Sequence, residues 1–335
     1  MSKNRFPFPR YPNGWFQVAY SDDLAPGGVL PLQYFGKQLV LFRGQDGKPY
    51  LLDAYCPHLG AHLGHGGKVE GNCIRCPFHS WKFDGTGQCV EIPYSQHIPP
   101  KARVKSAPSD TPTTWHIEEI NGLILAWHHL QGKPPEWRVP VNEEYQHELW
   151  TPYDLRRWKI KTHNQEMAEN AVDSAHFHYV HGTVEMPKSN AAVEGHILKV
   201  QSDTVMRTPM GKTKGSVESC SYGFGYSLTR FTGIVETLLV ASQTPIDDDY
   251  IDVRFSFSVK KLATGDVTST VGAAFIREIE RQLGQDIPIW ENKIYVSPPL
   301  VVDNDGPIGV FRRWCKQFYT EPESAPAATD QRASA

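Results

Sequence analysis

The first 130 residues alternate between short apolar runs and turn-forming sequences. The runs include WFQVAY (15–20), LPLQYFG (30–36), QLVLFRG (38–44) and PYLLDAYC (49–56), with APGG and QDGK between them. Strand-forming runs bounded by Gly, Pro and Asp are typical of an antiparallel sheet. WKFDGTGQCVEI (81–92) and TWHIEEINGLILAWHH (114–129) add two predicted hairpins, with Gly and Asn-Gly in their turns. The pattern therefore predicts an all-β domain over residues 1–132.

Residues 133–320 begin within a linker rich in Pro and Gly, LQGKPPEW (130–137), and have longer elements. We predict helices at 165–182, 273–295 and 311–321. Apolar and β-branched runs at 197–209, 226–245 and 250–259 predict long strands. This mixture predicts an α+β protein whose second domain combines an antiparallel sheet with helices. The tail, 321–335, is small, polar and Pro-containing, and we predict that it is disordered.

Composition excludes several classes of function. The 335 residues carry a net charge of −3, whereas a nucleic-acid-binding protein would usually show a basic surface. No apolar run approaches the roughly 20 residues that span a bilayer. The N-terminus shows no signal-peptide pattern, so we expect a cytoplasmic protein. No G-x-G-x-x-G follows a predicted strand, which indicates that the chain has no nicotinamide or flavin site of its own.

The loop CPHLGAHLGHGGKVEGNCIRCPFHSW (56–81) contains a first candidate metal site. The candidate ligands are Cys56, His58, Cys76 and His79, arranged as C-x-H and C-x-x-H. Clustered Cys and His in a cytoplasmic chain favour a metal over disulfides. A Cys₂His₂ zinc finger groups a Cys pair and a His pair, whereas each finger here has one Cys and one His. This mixing favours a Rieske [2Fe–2S] cluster, in which two cysteines hold one iron and two histidines the other.

A second candidate site lies on the predicted helix 165–182. Asn170, Asp173, His176 and His181 follow the pattern N-x-x-D-x-x-H-x-x-x-x-H. The first three would share one stripe of a helix. His181 would point about 140° away from His176 on an ideal helix, so the helix must bulge or end between them for both to face one metal. Gly182 is suited to end it.

Two histidines and one carboxylate are the ligand set of mononuclear non-haem Fe(II) oxygenases, which leaves positions open for O₂. Asp286, in a helix-like segment, and Asp305, in a turn-like segment, are both candidates for the third ligand, and periodicity does not decide between them. Without a working second site the chain would be a Rieske electron carrier. With zinc in the first site it would be a zinc-stabilised binding module.

The two motifs together resemble the oxygenase (alpha) component of Rieske non-haem iron oxygenases, over nearly the whole chain. NAVDSAHFHYVHG, TPIDDD, DIPIWENK and DGPIGVFRRWCKQFY further resemble the branch of 3-ketosteroid 9-alpha-hydroxylases and cholesterol 7-desaturases (Neverland). The resemblance implies a helix-grip-like catalytic domain after the Rieske domain. It also implies a head-to-tail homotrimer and a separate ferredoxin-type or flavin/iron–sulfur reductase that takes electrons from NAD(P)H.

The resemblance also implies roles for the candidate residues. The four residues of the loop would hold the cluster, while His176, His181 and Asp286 would hold Fe(II), with Asp286 preferred to Asp305. Asp173 would bridge an iron-bound histidine of its own chain and His79 of the neighbouring copy. Asn170 would lie beside the iron. The expected reaction is O₂-dependent oxygenation of a steroid or sterol C–H bond, as a monooxygenase. Desaturation, C4-demethylation and an aromatic or N-methyl substrate are the alternatives within the enzyme class.

Overall fold

The structure is a computed structural model, and it describes residues 5–104, 115–208, 211–262 and 265–320. The predicted disordered tail, 321–335, lies outside the described residues. Strands of the first half of the chain form three small antiparallel sheets with the orders β1-β10-β9, β2-β3-β4 and β5-β6-β7-β8. Their bounds are β1 Gly14–Tyr20, β2 Val29–Tyr34, β3 Lys37–Arg43, β4 Pro49–Asp53, β5 Lys68–Glu70, β6 Cys73–Arg75, β7 Lys82–Asp84, β8 Cys89–Glu91, β9 Ile117–Ile120 and β10 Leu123–His128.

The turns between these strands follow the predicted chemistry. Asn121 and Gly122 join β9 to β10 with φ values of 55° and 76°, so both central residues adopt the left-handed conformation that an Asn-Gly hairpin turn requires. The hairpin β7–β8 predicted from WKFDGTGQCVEI is also present. The candidate cluster ligands lie in the two turns that follow β4 and β6.

The second half of the chain forms one seven-stranded antiparallel sheet with the order β11-β17-β16-β15-β14-β13-β12. Its strands are β11 Asp154–Ile160, β12 Lys188–Glu194, β13 Ile197–Thr208, β14 Gly211–Tyr222, β15 Tyr226–Phe231, β16 Thr237–Pro245 and β17 Ile251–Val259. The predicted strands at 197–209, 226–245 and 250–259 are confirmed as β13, β15 with β16, and β17. The sequence did not predict β11, β12 and β14, in which polar residues predominate.

Strand β17 shows how this sheet is held between two layers, since every residue in it is buried. Its apolar residues, such as Val253 and Phe255, pack with residues of a long helix, while Asp252 and Arg254 alternate with them on the other face. That polar face meets the first half of the chain, where Tyr34 donates a hydrogen bond to Asp252 (2.6 Å). The long helix and the first half thus cover opposite faces of the sheet.

The helices are α1 Asn164–Glu169, α2 Ser174–Tyr179, α3 Gly265–Asn292 and α4 Ile308–Cys315. The prediction of one helix over 165–182 is wrong, because a 3₁₀ turn (Asn170–Val172) and an extended residue, Asp173 (φ −85°, ψ 98°), separate α1 from α2. The helices predicted at 273–295 and 311–321 are confirmed as α3 and α4 with different bounds.

An apolar cluster that includes Trp15, Trp127, Tyr226 and Leu238 joins the sheet β1-β10-β9 to the seven-stranded sheet. The all-β first half and the sheet-and-helix second half agree with the predicted fold class, while the exact boundary at 132/133 stays a prediction. Among the helices that the structure describes, none combines the length and apolarity needed to cross a bilayer.

Candidate metal centres

Two turns of the same backbone geometry present the four residues of the loop 56–81. One turn begins at Cys56 and the other at Cys76. In each, the N–H four residues after the cysteine donates to the cysteine carbonyl (3.0 and 3.1 Å), and the cysteine N–H donates to the carbonyl five residues on (2.9 and 2.8 Å). The closing residues, Gly60 and Ser80, have φ values of 75° and 60°. The turns that begin at Cys56 and at Cys76, which we call the two fingers, therefore have the same backbone fold.

The side chains of these fingers converge. The thiols of Cys56 and Cys76 are both buried and contact each other, and burial raises the pKa of Cys56 to about 11. The rings of His58 and His79 lie 4.7 Å apart between centroids, and Trp81 stacks on His58 at 4.6 Å. His58 Nδ1 is buried and has no hydrogen-bond partner among the described residues. Because an unpaired buried nitrogen is unfavourable, this atom and the paired thiols fit a metal cluster.

The second set of candidate ligands also converges. The ligand atoms of His176, His181 and Asp286 lie within 4.8 Å of one another. His181 Nε2 is 3.3 Å from Asp286 Oδ2, and the two imidazole rings are 5.0 Å apart at 80°. Burial lowers the pKa of His176, although the charges of Asp173 and Asp286 oppose this. His176 of α2, His181 just after that helix and Asp286 in the C-terminal third of α3 thus bring their ligand atoms together.

The hydrogen bonds of the two imidazoles leave a lone pair on the metal-facing nitrogen of each ring. His176 Nδ1 donates to the carbonyl of Asp173 (2.6 Å), and His181 Nδ1 donates to Oε1 of Gln285 (3.2 Å). Both oxygens only accept, so each of these bonds requires the ring proton on Nδ1, and with a metal bound the lone pair of Nε2 would face that metal. Such hydrogen bonds commonly orient metal-binding histidines. The donor set fits a divalent metal with two imidazoles and one carboxylate.

Asp173 begins α2 and lies at an open surface cavity of about 360 Å³ that His176, Tyr179 and Leu300 also line. Its Oδ1 accepts a hydrogen bond from the N–H of His176 (3.2 Å), as the N-cap of the helix. Its carboxylate is 3.9 Å from His176 Nδ1, and that nitrogen bonds the Asp173 carbonyl instead. Within one chain, the ring of His176 therefore bonds the main-chain carbonyl of Asp173 and not, as expected, its carboxylate.

The remaining candidates lie outside the converging ligand atoms. Asn170 Oδ1 accepts a hydrogen bond from Nε1 of Trp290 (3.2 Å), which joins the 3₁₀ turn to α3. Asp305 Oδ2 accepts from the N–H of Val302 (2.7 Å), so its carboxylate stabilises the turn that the sequence indicated. Gln285 was not predicted, and its only sequence signal is its position next to Asp286.

The chain matches two protein-family models. Residues 14–108 match the Rieske [2Fe-2S] domain, and residues 126–319 match the 3-Ketosteroid 9alpha-hydroxylase C-terminal domain. The cholesterol 7-desaturase nvd of Xenopus laevis is 32% identical over 352 residues, which cover 96% of this chain and 74% of that protein. A 3-ketosteroid-9-alpha-monooxygenase oxygenase component of Rhodococcus rhodochrous is 31% identical, with 93% of this chain and 84% of that protein covered.

Solved structures show the same fold at low identity. A QL mutant of NdmA from Pseudomonas putida CBB5 with theobromine superposes with a TM-score of 0.71 at 19% identity, covering 90% of this chain and 89% of that one. Dicamba monooxygenase bound to 3,6-dichlorosalicylic acid superposes with a TM-score of 0.72 at 17% identity, covering 91% of this chain and 96% of that one. The Rieske model covers the first ligand set, and the C-terminal model covers the second. These matches show that this chain is a Rieske-type oxygenase of the 3-ketosteroid 9-alpha-hydroxylase family.

Proposed function

We propose that this chain is the oxygenase component of a system that oxygenates a C–H bond of a steroid or sterol, with electrons that a separate reductase draws from NAD(P)H. The convergence of His176, His181 and Asp286 in a chain that also carries the Rieske fingers is the observation that supports this most directly. A simple electron carrier would have no use for a second set of metal ligands. Cholesterol and 3-ketosteroids, which the names of the relatives contain, support the substrate class.

Each set of residues has a separate part in this proposal. Cys56, His58, Cys76 and His79 would hold the cluster. His176, His181 and Asp286 would hold the mononuclear iron. When bound, the cluster supplies single electrons and the ferrous ion supplies the position at which O₂ is reduced. The protein orients the two ligating imidazoles through their Nδ1 protons, and it buries His181 and Asp286.

Apolar residues packed against the helix that carries Asp286 support an apolar substrate. Phe231 and Phe255 of the sheet pack with α3, the helix that carries Asp286, and Trp290 belongs to the same cluster. Leu228 and Leu238 instead pack with the first half of the chain. We therefore assign the substrate to the side of the sheet that α3 covers.

Two exposed apolar surfaces support the head-to-tail homotrimer. The first, which we name the tip surface, consists of Tyr55, Leu59, Phe78 and Tyr94, all of which are more than half exposed around the fingers. The second is the wall of the cavity at Asp173, where Leu300 is 97% exposed. Unpaired apolar surface of this kind is typical of protein interfaces.

In the trimer, the tip surface of one copy would cover the Asp173 cavity of the next. The Asp173 side chain is 36% exposed in the single chain. Covering it would bury a carboxylate, which is unfavourable unless the carboxylate is paired. The ring of His79 from the neighbouring copy can donate that hydrogen bond. Asp173 would then connect the two metal sites across the interface, with its carboxylate bonded to the neighbouring His79 and its main-chain carbonyl bonded to the ring of His176.

Desaturation is the second candidate reaction, because cholesterol 7-desaturases of three animals align with more than nine-tenths of this chain. The likeness to NdmA and to dicamba monooxygenase concerns the fold alone and favours neither an N-methyl nor an aromatic substrate.

The product of a steroid panel tests the proposal. The purified chain would be incubated with NADH, a surrogate ferredoxin-type reductase, ¹⁸O₂ and either 3-ketosteroids, 4-methylsterols or cholesterol. One labelled oxygen in a product supports hydroxylation, and loss of two hydrogens supports desaturation. Asp286→Ala is the matched control, for which no product is expected. If no steroid reacts although both metal sites are loaded, the proposed substrate class is wrong.

A further inference from the structure

His181 lies outside the helix that carries the other histidine ligand. Helix α2 ends at Tyr179, and Gly182 follows His181 with a φ of 75°. The N–H of His181 makes a long hydrogen bond to the carbonyl of His176 (3.4 Å). Gly182 and Thr183 donate to α2 carbonyls (3.1 Å each), so the backbone of this segment is held, but among the described residues the hydrogen bond of the His181 ring goes to α3 and not to this segment.

Helix α3 holds this ring instead. Gln285 Oε1 accepts from Nδ1 (3.2 Å), and the next residue, Asp286, places Oδ2 3.3 Å from Nε2. One turn earlier, Arg281 lies 3.5 Å from the His181 carbonyl. Consecutive side chains of α3 thus contact the two ring nitrogens of one histidine.

The two histidines differ in what fixes their tautomer. For His176 the acceptor is the main-chain carbonyl of Asp173, which no substitution removes. For His181 the acceptor is a side chain, Gln285. Without it, the ring proton can move to Nε2, and the ring can turn, either of which removes a lone pair from the proposed metal site.

We infer that Gln285 is a positioning residue that fixes His181 in the Nδ1–H tautomer, and that tight binding of the mononuclear metal depends on it. This inference rests on the proposed function of the His176, His181 and Asp286 set. Partners of this kind also raise the basicity of an imidazole ligand, and their loss typically weakens metal binding about 10–100-fold.

Equilibrium binding of Co²⁺ tests the inference without any turnover. The full chain, with its cluster loaded and the mononuclear site stripped, would be titrated as wild type, Gln285→Leu and Gln285→Glu. Gln282→Leu is the matched control, because Gln282 lies on the same helix and donates to Glu278 (3.0 Å) rather than to His181. Far-UV circular dichroism and the melting temperature report that each variant is folded, and Gln285→Ala replaces Gln285→Leu if the fold is lost.

We expect Gln285→Leu to raise the Kd for Co²⁺ about 10–100-fold. Gln285→Glu keeps an acceptor for the Nδ1 proton, so it should bind at least as tightly as the wild type, and Gln282→Leu should match the wild type. Wild-type affinity in Gln285→Leu, or equal loss in Gln285→Leu and Gln285→Glu, would overturn the inference. If the wild type itself binds no Co²⁺, the proposed mononuclear site fails instead, so the two failures are distinguishable.

Discussion

Asp252 is the centre of a buried ionic cluster that fastens the Rieske half of the chain to the catalytic sheet. Its carboxylate accepts hydrogen bonds from Tyr34 (2.6 Å), from two nitrogens of Arg157 (2.7 and 2.9 Å) and from Arg254 (3.0 Å). The side chains of Asp252 and Arg254 are only 2% and 3% exposed. Removing the carboxylate therefore leaves the guanidinium of Arg254 buried without its counter-ion.

We predict that Asp252→Ala lowers the free energy of unfolding by about 3–5 kcal/mol, the range found when one partner of a buried ion pair is removed. Arg254 keeps its hydrogen bonds to Tyr34 and to the Val18 carbonyl, which places the effect within that range rather than above it. At roughly 2–4 °C per kcal/mol, the melting temperature should fall by about 6–20 °C. Asp249→Ala, an exposed acid in the same hairpin, should change the stability by less than about 0.5 kcal/mol.

The pH dependence gives a second check. Burial alone would raise the pKa of Asp252, but the hydrogen bond from Arg157 and the charge of Arg254 more than offset this and hold the pKa below its ordinary value. The stabilisation is then complete above the unfolded-state pKa of about 3.9 and is lost as pH falls through the lower folded value. The difference between wild type and Asp252→Ala should narrow only below about pH 4. Urea unfolding at pH 7 that gives the same midpoint for Asp252→Ala and Asp249→Ala would refute the reasoning.

Three further predictions concern the metal sites and the interface. Asp173→Asn should keep the iron of both centres, as elemental analysis would show, yet lose NADH-dependent turnover, and full activity would contradict the role of Asp173. Cys76→Ala should abolish the visible absorption of the cluster but leave Co²⁺ binding at the mononuclear site, whereas loss of both would indicate misfolding or one shared centre. Leu300→Asp should shift the mass measured by light scattering from trimer to monomer, while Val141→Asp, which is 75% exposed elsewhere, should stay trimeric. An unchanged mass for Leu300→Asp would show that the Asp173 cavity is not part of the trimer interface.

The all-β first half was predictable from its sequence because its turns are chemically explicit, as at Asn121-Gly122, and its strands are apolar. β12 and β14 were missed because polar residues predominate in them, so their sequences lack the apolar alternation that reveals a half-buried strand. Composition also gave no sign that the polar residues of β17 are buried. Only the contact with the first half of the chain accounts for that burial.

The parts of the candidate site that depend on the spacing of residues along the chain were predictable. The parts that depend on tertiary contacts were not. C-x-H and C-x-x-H indicated the fingers, and Gly182 indicated that the helix ends near His181. The helix break at Asp173 could not be read from periodicity, because the residue is stabilised as an N-cap and its neighbour Ser174 donates to the carbonyl of distant Asp305 (3.0 Å). Periodicity did not decide between Asp286 and Asp305, and only the family resemblance favoured Asp286 until the fold placed α3 beside His181. Gln285 could not be found at all without that contact.

The iron content of purified chains tests the central claim that one chain holds two separate iron centres. The account predicts three irons per chain for the wild type, two in the cluster and one at the mononuclear site. It predicts two for Asp286→Ala and three for Asp305→Ala, since the Asp305 carboxylate bonds the N–H of Val302 rather than facing the histidines. The account would be contradicted by two irons per wild-type chain supplied with excess Fe²⁺. It would also be contradicted if Asp286→Ala and Asp305→Ala lost the same amount of iron.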